Sequence, residues 1–249
     1  MSNSKNLSQV TVSPAFTSST SFSTRFACMS LNFPNRIRLI NFVEEDVLAI
    51  TGAIKETETP GLKLKPVRNF GESREIQLQG RPWAPCYHGN DNARRLLLGI
   101  LNKLYARGWI FAWAVKITRG RQDNLIFRKQ WPPPQACERI LMSFDGLDKI
   151  KIINPYRDLT NAMLETLGDE VQDKSTPERF KVHIQGRPWK PSNLTSVETS
   201  SLLLRLVQTL ESRGFTIYAV IGNKRGGMAD MLVCQRNAAW VPGDQIVHR

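Results

Sequence analysis

Histidine is scarce in this chain: its 249 residues include three, His88, His183 and His248. Cysteine is hardly more frequent, with four (Cys28, Cys86, Cys137 and Cys234) and no pair in CxxC spacing. A zinc site is built from clustered Cys and His ligands, so no metal is expected. Scattered thiols in a chain of this size do not read as a disulfide framework either. The expectation is free cysteines in a reducing compartment, intracellular and either cytoplasmic or nuclear. Long apolar runs are missing. The longest, around residues 109–115, is far shorter than the ~20 residues of a membrane helix, so no transmembrane segment is expected. No apolar stretch near the N-terminus suggests a secretory signal.

Catalytic signatures are absent too. The chain contains no GxSxG, HExxH or GxGxxG and no P-loop pattern. Cys86 and His88 are neighbours, but the corresponding positions of the internal repeat described below hold Ser192 and Leu194. That argues against a nucleophile and base conserved with the fold. No catalytic residue and no cofactor is expected, and the chain reads as a non-enzyme.

Acidic residues are missing from the whole N-terminal segment, the first being Glu44. Residues 1–35 are rich in Ser and Thr and lack helical or strand periodicity, which predicts a disordered tail. A Ser-rich, acid-poor start also fits an organelle transit peptide. With only Lys5 and Arg25 as basic residues before Arg36 and no amphipathic arginine helix, the tail is the preferred reading.

Basic charge is abundant. The net charge is +12, and it is unevenly placed. Residues 36–141 hold 18 basic and 10 acidic residues, whereas residues 142–249 are nearly balanced. A surface facing a polyanion is therefore expected in the first of these segments.

The same segments repeat each other. Gln79-Gly80-Arg81-Pro82-Trp83 recurs as Gln185-Gly186-Arg187-Pro188-Trp189. Leu96-Leu97-Leu98 recurs as Leu202-Leu203-Leu204, and Arg107-Gly108 as Arg213-Gly214. Upstream the register changes, where Arg36 to Asn41 pairs with Lys149 to Asn154. Two copies of about a hundred residues are too few and too long for a solenoid. The predicted organisation is a tail (1–35), a first α+β repeat (36–141) and a second (142–249).

Within each unit the pattern predicts a strand (37–42, 150–154), a helix (44–55, 157–167) and a second strand (74–78, 180–184). The GRPW turn follows, then a longer helix. In that helix Leu97, Ile100, Leu101 and Leu104 share one face, as do Leu203, Leu206, Val207 and Leu210. Gly108 and Gly214 follow its last turn, where glycine closes a helix most easily. A strand at 109–117 or 215–221 is apolar on both faces and is expected centrally in its sheet. A glycine-bearing turn then leads to a last strand (124–128, 231–235). The expected fold is thus α+β, a tandem duplication of a β-α-β-α-β-β unit. Helices cover a mostly antiparallel sheet, and the halves are related by a pseudo-twofold.

The candidate binding residues are the repeated turn and the basic hairpin tips. Arg81 with Trp83, and Arg187 with Trp189, fit a cation–π or anion-binding rim. They fit equally a tryptophan that plugs the core with arginine beside it, and the second account is preferred because duplication preserves fold determinants. Arg119 and Arg121, and Lys224 and Arg225, sit at turns where partners are often met. Asp91 and Glu198 are expected at helix N-termini, where the helix dipole favours negative charge. The leading functional expectation is a non-enzymatic binding module that contacts a protein or anionic partner through the basic first repeat. Nucleic acid and anionic lipid are among the anionic partners considered. The alternatives are an enzyme or small-ligand carrier with a pocket between the repeats, and a structural assembly protein.

Overall fold

The computed structural model describes residues 24–32, 34–57, 63–83, 91–115, 124–176, 179–222 and 231–246. No helix among them is long and apolar enough to cross a membrane. The first unit runs β1 (Phe26–Asn32), β2 (Arg36–Ile40), α1 (Glu44–Glu56), β3 (Arg68–Phe70), β4 (Ser73–Gln77), α2 (Asp91–Ala106), β5 (Trp109–Val115) and β6 (Asn124–Lys129). The second repeats that order as β7 (Cys137–Asp145), β8 (Lys149–Ile153), α3 (Arg157–Leu167), β9 (Val171–Asp173), β10 (Arg179–Ile184), α4 (Ser196–Ser212), β11 (Thr216–Ile221) and β12 (Met231–Asn237). A short 3-10 turn, Gly168–Glu170, follows α3.

Each unit forms one six-stranded sheet. The orders are β3-β4-β2-β1-β6-β5 and β9-β10-β8-β7-β12-β11, the same order twice. Every pairing is antiparallel. The α+β tandem duplication expected from the sequence is therefore present. Shared local details carry it down to single residues. Asn41 and Asn154, equivalent residues after β2 and β8, both take left-handed backbone (φ 63° and 59°). Gly108 and Gly214 do so just after α2 and α4, at 81° and 78°. The first turn of α1 carries Glu44, Glu45 and Asp46 and its last turn carries Lys55, matching the helix dipole at both ends.

Three expectations change. First, each unit begins one strand earlier than expected. β1 lies between β2 and β6 in its sheet, so residues 26–32 form a strand within the segment where a tail over residues 1–35 was expected; residues 1–23 lie outside the described residues. Ala27 and Met29 are buried while Cys28 and Ser30 face outward, an alternation hidden by its Ser/Thr-rich surroundings. For the same reason the expected division at 141/142 falls inside β7. Second, β5 and β11 lie at sheet edges, not in the centre. β5 is apolar on both sides because Trp109 points into its own core, while Trp113 faces outward beside Phe26, with ring centroids 6.0 Å apart.

Third, the units meet unequally: the equivalent strands β5 and β11 approach each other, but α2 also packs on β7 and β8. Elsewhere the units use different surfaces. The helices α1 and α2 cover one face of the first sheet, and α3 and α4 cover one face of the second. In β7, Ile140 and Met142 face α3 and α4, while Leu141 belongs to the core of α1 and α2, together with Ile153, Ala219 and Val233. The second sheet is therefore covered on both faces, with α2 lying between the two sheets. α4 has no equivalent place and turns its outer side to solvent, with Val197 72% and Leu204 64% exposed.

Candidate binding surface

The joint between the units shows how this fold holds a helix on the outer face of its sheet. Residues at helical spacing on α2 meet the second sheet. At its N-terminal end, Asp91 accepts hydrogen bonds from Lys151 (3.2 Å) and Arg179 (2.6 Å). Arg94 donates two to Asp145, at 2.8 and 2.5 Å, and also reaches Asp91 at 3.3 Å. Lys151 lies 3.1 Å from Asp145 and so closes a ring of alternating charges. Burial would raise the pKa of Asp91, but the bonds from Arg179 and Lys151 and the charge of Arg94 outweigh it and hold it below the usual carboxylate value.

In the middle of the joint Leu98 is buried, one turn beyond Arg94 on the same stripe. The sheet opposes the helix with a row of apolar residues, Ile153, Leu141, Val233 and Ala219, side by side on four adjacent strands. At the far end the Arg139 guanidinium stacks on Tyr105 (3.8 Å) and Tyr218 (4.7 Å) and donates to Asn102. The Tyr218 hydroxyl accepts the Phe111 backbone N–H at 2.7 Å, binding the edge strands together. Burial pushes that hydroxyl up to about 12, so it stays neutral.

The first sheet has the same outer face with no helix on it among the described residues. Its apolar row is Ile40, Cys28, Ile126 and Trp113, in register with the four residues above. Ile40 is 40% and Trp113 50% exposed. On one side of this row runs Arg68, Glu75, Arg38, Ser30 and Asn124. Phe26, Arg128 and Ile110 lie on the other. Glu75 is fully buried. Arg38 and Arg68 each donate to it at 2.9 Å, and Arg36 stands 3.7 Å away. Burial alone would raise its pKa, but these arginines more than compensate and hold it low. One carboxylate thus shares three guanidinium groups, and with Arg128 the face has a surplus of positive charge. These arginines are not the turn and hairpin-tip residues singled out from the sequence.

Those residues are placed differently. Arg119, Arg121, Lys224 and Arg225 lie outside the described residues. Arg81 and Arg187 are exposed, and the turns that carry them are clasps within their own units. Gly80 and Gly186 both take φ 79°, a backbone that side chains resist. The Trp83 N–H donates to the Pro34 carbonyl (3.1 Å), and the equivalent Trp189 N–H donates to that of Leu147 (3.0 Å). Each turn is thereby tied to the loop between the first two strands of its unit. Trp83 is buried in the first core; Trp189 packs edge-on to Phe144 at 4.7 Å in the second and donates its indole N–H to the Lys149 carbonyl. The two turns serve separate cores and do not form one rim. Asp91 lies in the first turn of α2 as expected, and its bonds to Lys151 and Arg179 reach beyond its own unit.

A cleft of about 610 Å³ opens between the edge strands, lined in part by Trp113, Arg128, Tyr218 and Trp240. None of its lining residues is Asp, Glu or His, so the described residues supply no acid–base pair there. Cys28 and Cys234 are free thiols.

A single-domain family profile matches the chain twice, over residues 25–128 and 138–235. The chain belongs to that domain family and carries the domain in tandem, with limits that agree with β1 and β7 as the opening strands. No functionally curated protein matches it. A crystal structure of a conserved kinetoplastid-specific protein from Trypanosoma cruzi is similar over 40% of this chain and 95% of that one, at 14% identity and a TM-score of 0.29. That likeness is too slight to bear on fold or function.

Proposed function

We propose that the protein is a non-enzymatic binding module whose contact surface is the outer face of the first sheet. The observation that supports this most is the layout shared by the two sheets. An apolar row flanked by basic residues holds α2 on the second sheet, and the same row on the first sheet is free of helix among the described residues. The exposed Ile40 and Trp113 favour a protein partner, because apolar side chains on a flat face gain by being covered. The positive surplus favours an acidic one. An intracellular setting belongs to this reading and is supported by the free thiols.

A polyanion is the second reading, favoured by Arg36, Arg38, Arg68 and Arg128 beside the exposed rings of Phe26 and Trp113. Salt separates the two. Affinity for single-stranded nucleic acid or anionic vesicles falls steeply with ionic strength, whereas an apolar contact largely survives it.

Hydrogen exchange tests the surface itself. A bound partner is expected to slow amide exchange along β1, β2 and β6, whose amides are hydrogen-bonded within the sheet and exchange by local opening, and Trp113→Glu to abolish binding without unfolding the chain. Binding that leaves those strands unprotected and ignores Trp113→Glu moves the function elsewhere.

A further inference from the structure

We propose that the open face of the first sheet takes α4 of a second copy of this chain, so that molecules join head to tail. This rests on the reading of that face as a binding surface and names its partner. Each molecule contains one complete helix-on-sheet joint, between α2 and the second sheet. It also carries both halves of another: α4, the counterpart of α2, and the first sheet, the counterpart of the second.

The two free halves differ from the joined ones in a matched way. Along the stripe by which α2 docks, α4 has Val197 in place of Asp91 and Ser200 in place of Arg94. The partners of those residues change with them. Asn32 stands on the first sheet where Asp145 stands on the second, so the buried pair Arg94–Asp145 corresponds to the uncharged pair Ser200 and Asn32. Lys151 stands beside another cation, Lys181 on β10, and is answered by Asp91 and Asp145. Its counterpart Arg38 has Glu75 in the place of Lys181 and is paired within its own sheet. The first sheet therefore does not need the carboxylate that α4 has lost. A buried joint tolerates loss of charge only when both sides lose it together.

The apolar middle is kept. Leu204 takes the place of Leu98 and Val197 adds a second apolar group, both exposed, and the row of Ile40, Cys28, Ile126 and Trp113 awaits them. At the far end Glu211 takes the place of Tyr105 and Arg128 that of Gln235, which brings opposite charges to the same end of the joint. A helix face on one side and a sheet face on the other make a heterologous contact, which propagates as an open chain or closes into a ring.

Sedimentation of the full chain over a concentration series tests this. The expected mass rises above the 28.3 kDa of one chain and passes beyond the dimer. Leu204→Glu and Ile126→Glu each abolish the rise. Should Ile126→Glu fail to fold by circular dichroism, Trp113→Glu replaces it at an exposed position. Mixing the two single variants restores one joint, and the mixture is expected to form two-chain complexes and nothing larger. Alkylation of Cys28 slows at least tenfold in the assembled wild type, while Cys234, buried on the α3 and α4 side and pushed up to about 12 by that burial, stays unreactive throughout. A wild type that remains at one chain across the series overturns the proposal, as does association that both variants leave unchanged. If the chain stays monomeric but Trp113→Glu abolishes binding of another partner, the head-to-tail joint falls and the binding face stands.

Discussion

Arg94 and Asp145 belong to different units, 51 residues apart, and form a doubly hydrogen-bonded ion pair with their side chains 2% and 5% exposed. The pair joins α2 to β7 at the centre of a charge ring completed by Asp91 and Lys151. It explains how a helix with a polar first turn can lie between two sheets: its charges are answered by the sheet on its far side.

Breaking that pair from one side leaves a buried charge behind. Asp145→Ala is expected to cost about 3–5 kcal/mol, because Arg94 then keeps only its longer contact to Asp91. Arg94→Met combined with Asp145→Leu is expected to recover much of the loss, since two apolar groups need no partners. Urea unfolding of the three variants measures this. A double variant no better than Asp145→Ala contradicts it.

Acid should loosen the joint at Asp91 and the outer face of the first sheet at Glu75. Asp91 and Glu75 both have pKa values held below the ordinary carboxylate value. Their contribution is fully present above the unfolded value of about 4 and is lost as pH falls through the lower folded value, when protons bind the unfolded state first. The urea midpoint is expected to be flat near neutrality and to drop below about pH 4. Asp91→Asn should lower the neutral midpoint and flatten that drop. An equally steep drop in Asp91→Asn rules out the assignment.

Gly108 closes α2 at φ +81°, and a Cβ added there would lie 2.5 Å from the Gln130 carbonyl oxygen. Backbone atoms cannot yield as a side-chain tip does. Gly108→Ala is therefore expected to cost more than the ~1 kcal/mol of the left-handed backbone alone. Gly80→Ala at φ +79°, where no atom of the described residues lies within 4 Å, should cost only that strain. Thermal unfolding of the two variants compares them directly, and equal losses would disprove the role of the close contact.

Much of the fold was legible because its signals are local. The helix predicted over 157–167 is α3, and the capping glycines of α2 and α4 take the left-handed backbone expected of them. β1 was missed because seven residues of alternation are weak against a Ser/Thr-rich flank. A signal for it existed: the register that pairs Asn41 with Asn154 also pairs Met29-Ser30 with Met142-Ser143. The edge placement of β5 was misjudged because apolar residues on both sides of a strand look alike whether they meet a sheet, another unit or solvent. The GRPW turn was visible as a repeat, and its backbone bonds to Pro34 and Leu147 show why the fold keeps it.

The outer face of the first sheet was the part least open to reading. Arg38 and Lys151 are both basic residues on equivalent strands, and local pattern cannot tell that one meets an incoming helix while the other pairs within its sheet. The sequence alone determined the duplication, the α+β class, the helix faces and the concentration of positive charge in the first repeat. These follow from periodicity, turn chemistry and charge, which act over a few residues or are simple sums. Only the tertiary structure decided that α2 covers the second sheet, that α4 turns outward, and that the first sheet carries no helix on its outer face among the described residues. Those outcomes depend on which apolar and charged groups meet across residues 51 or more apart, and no single segment carries that information.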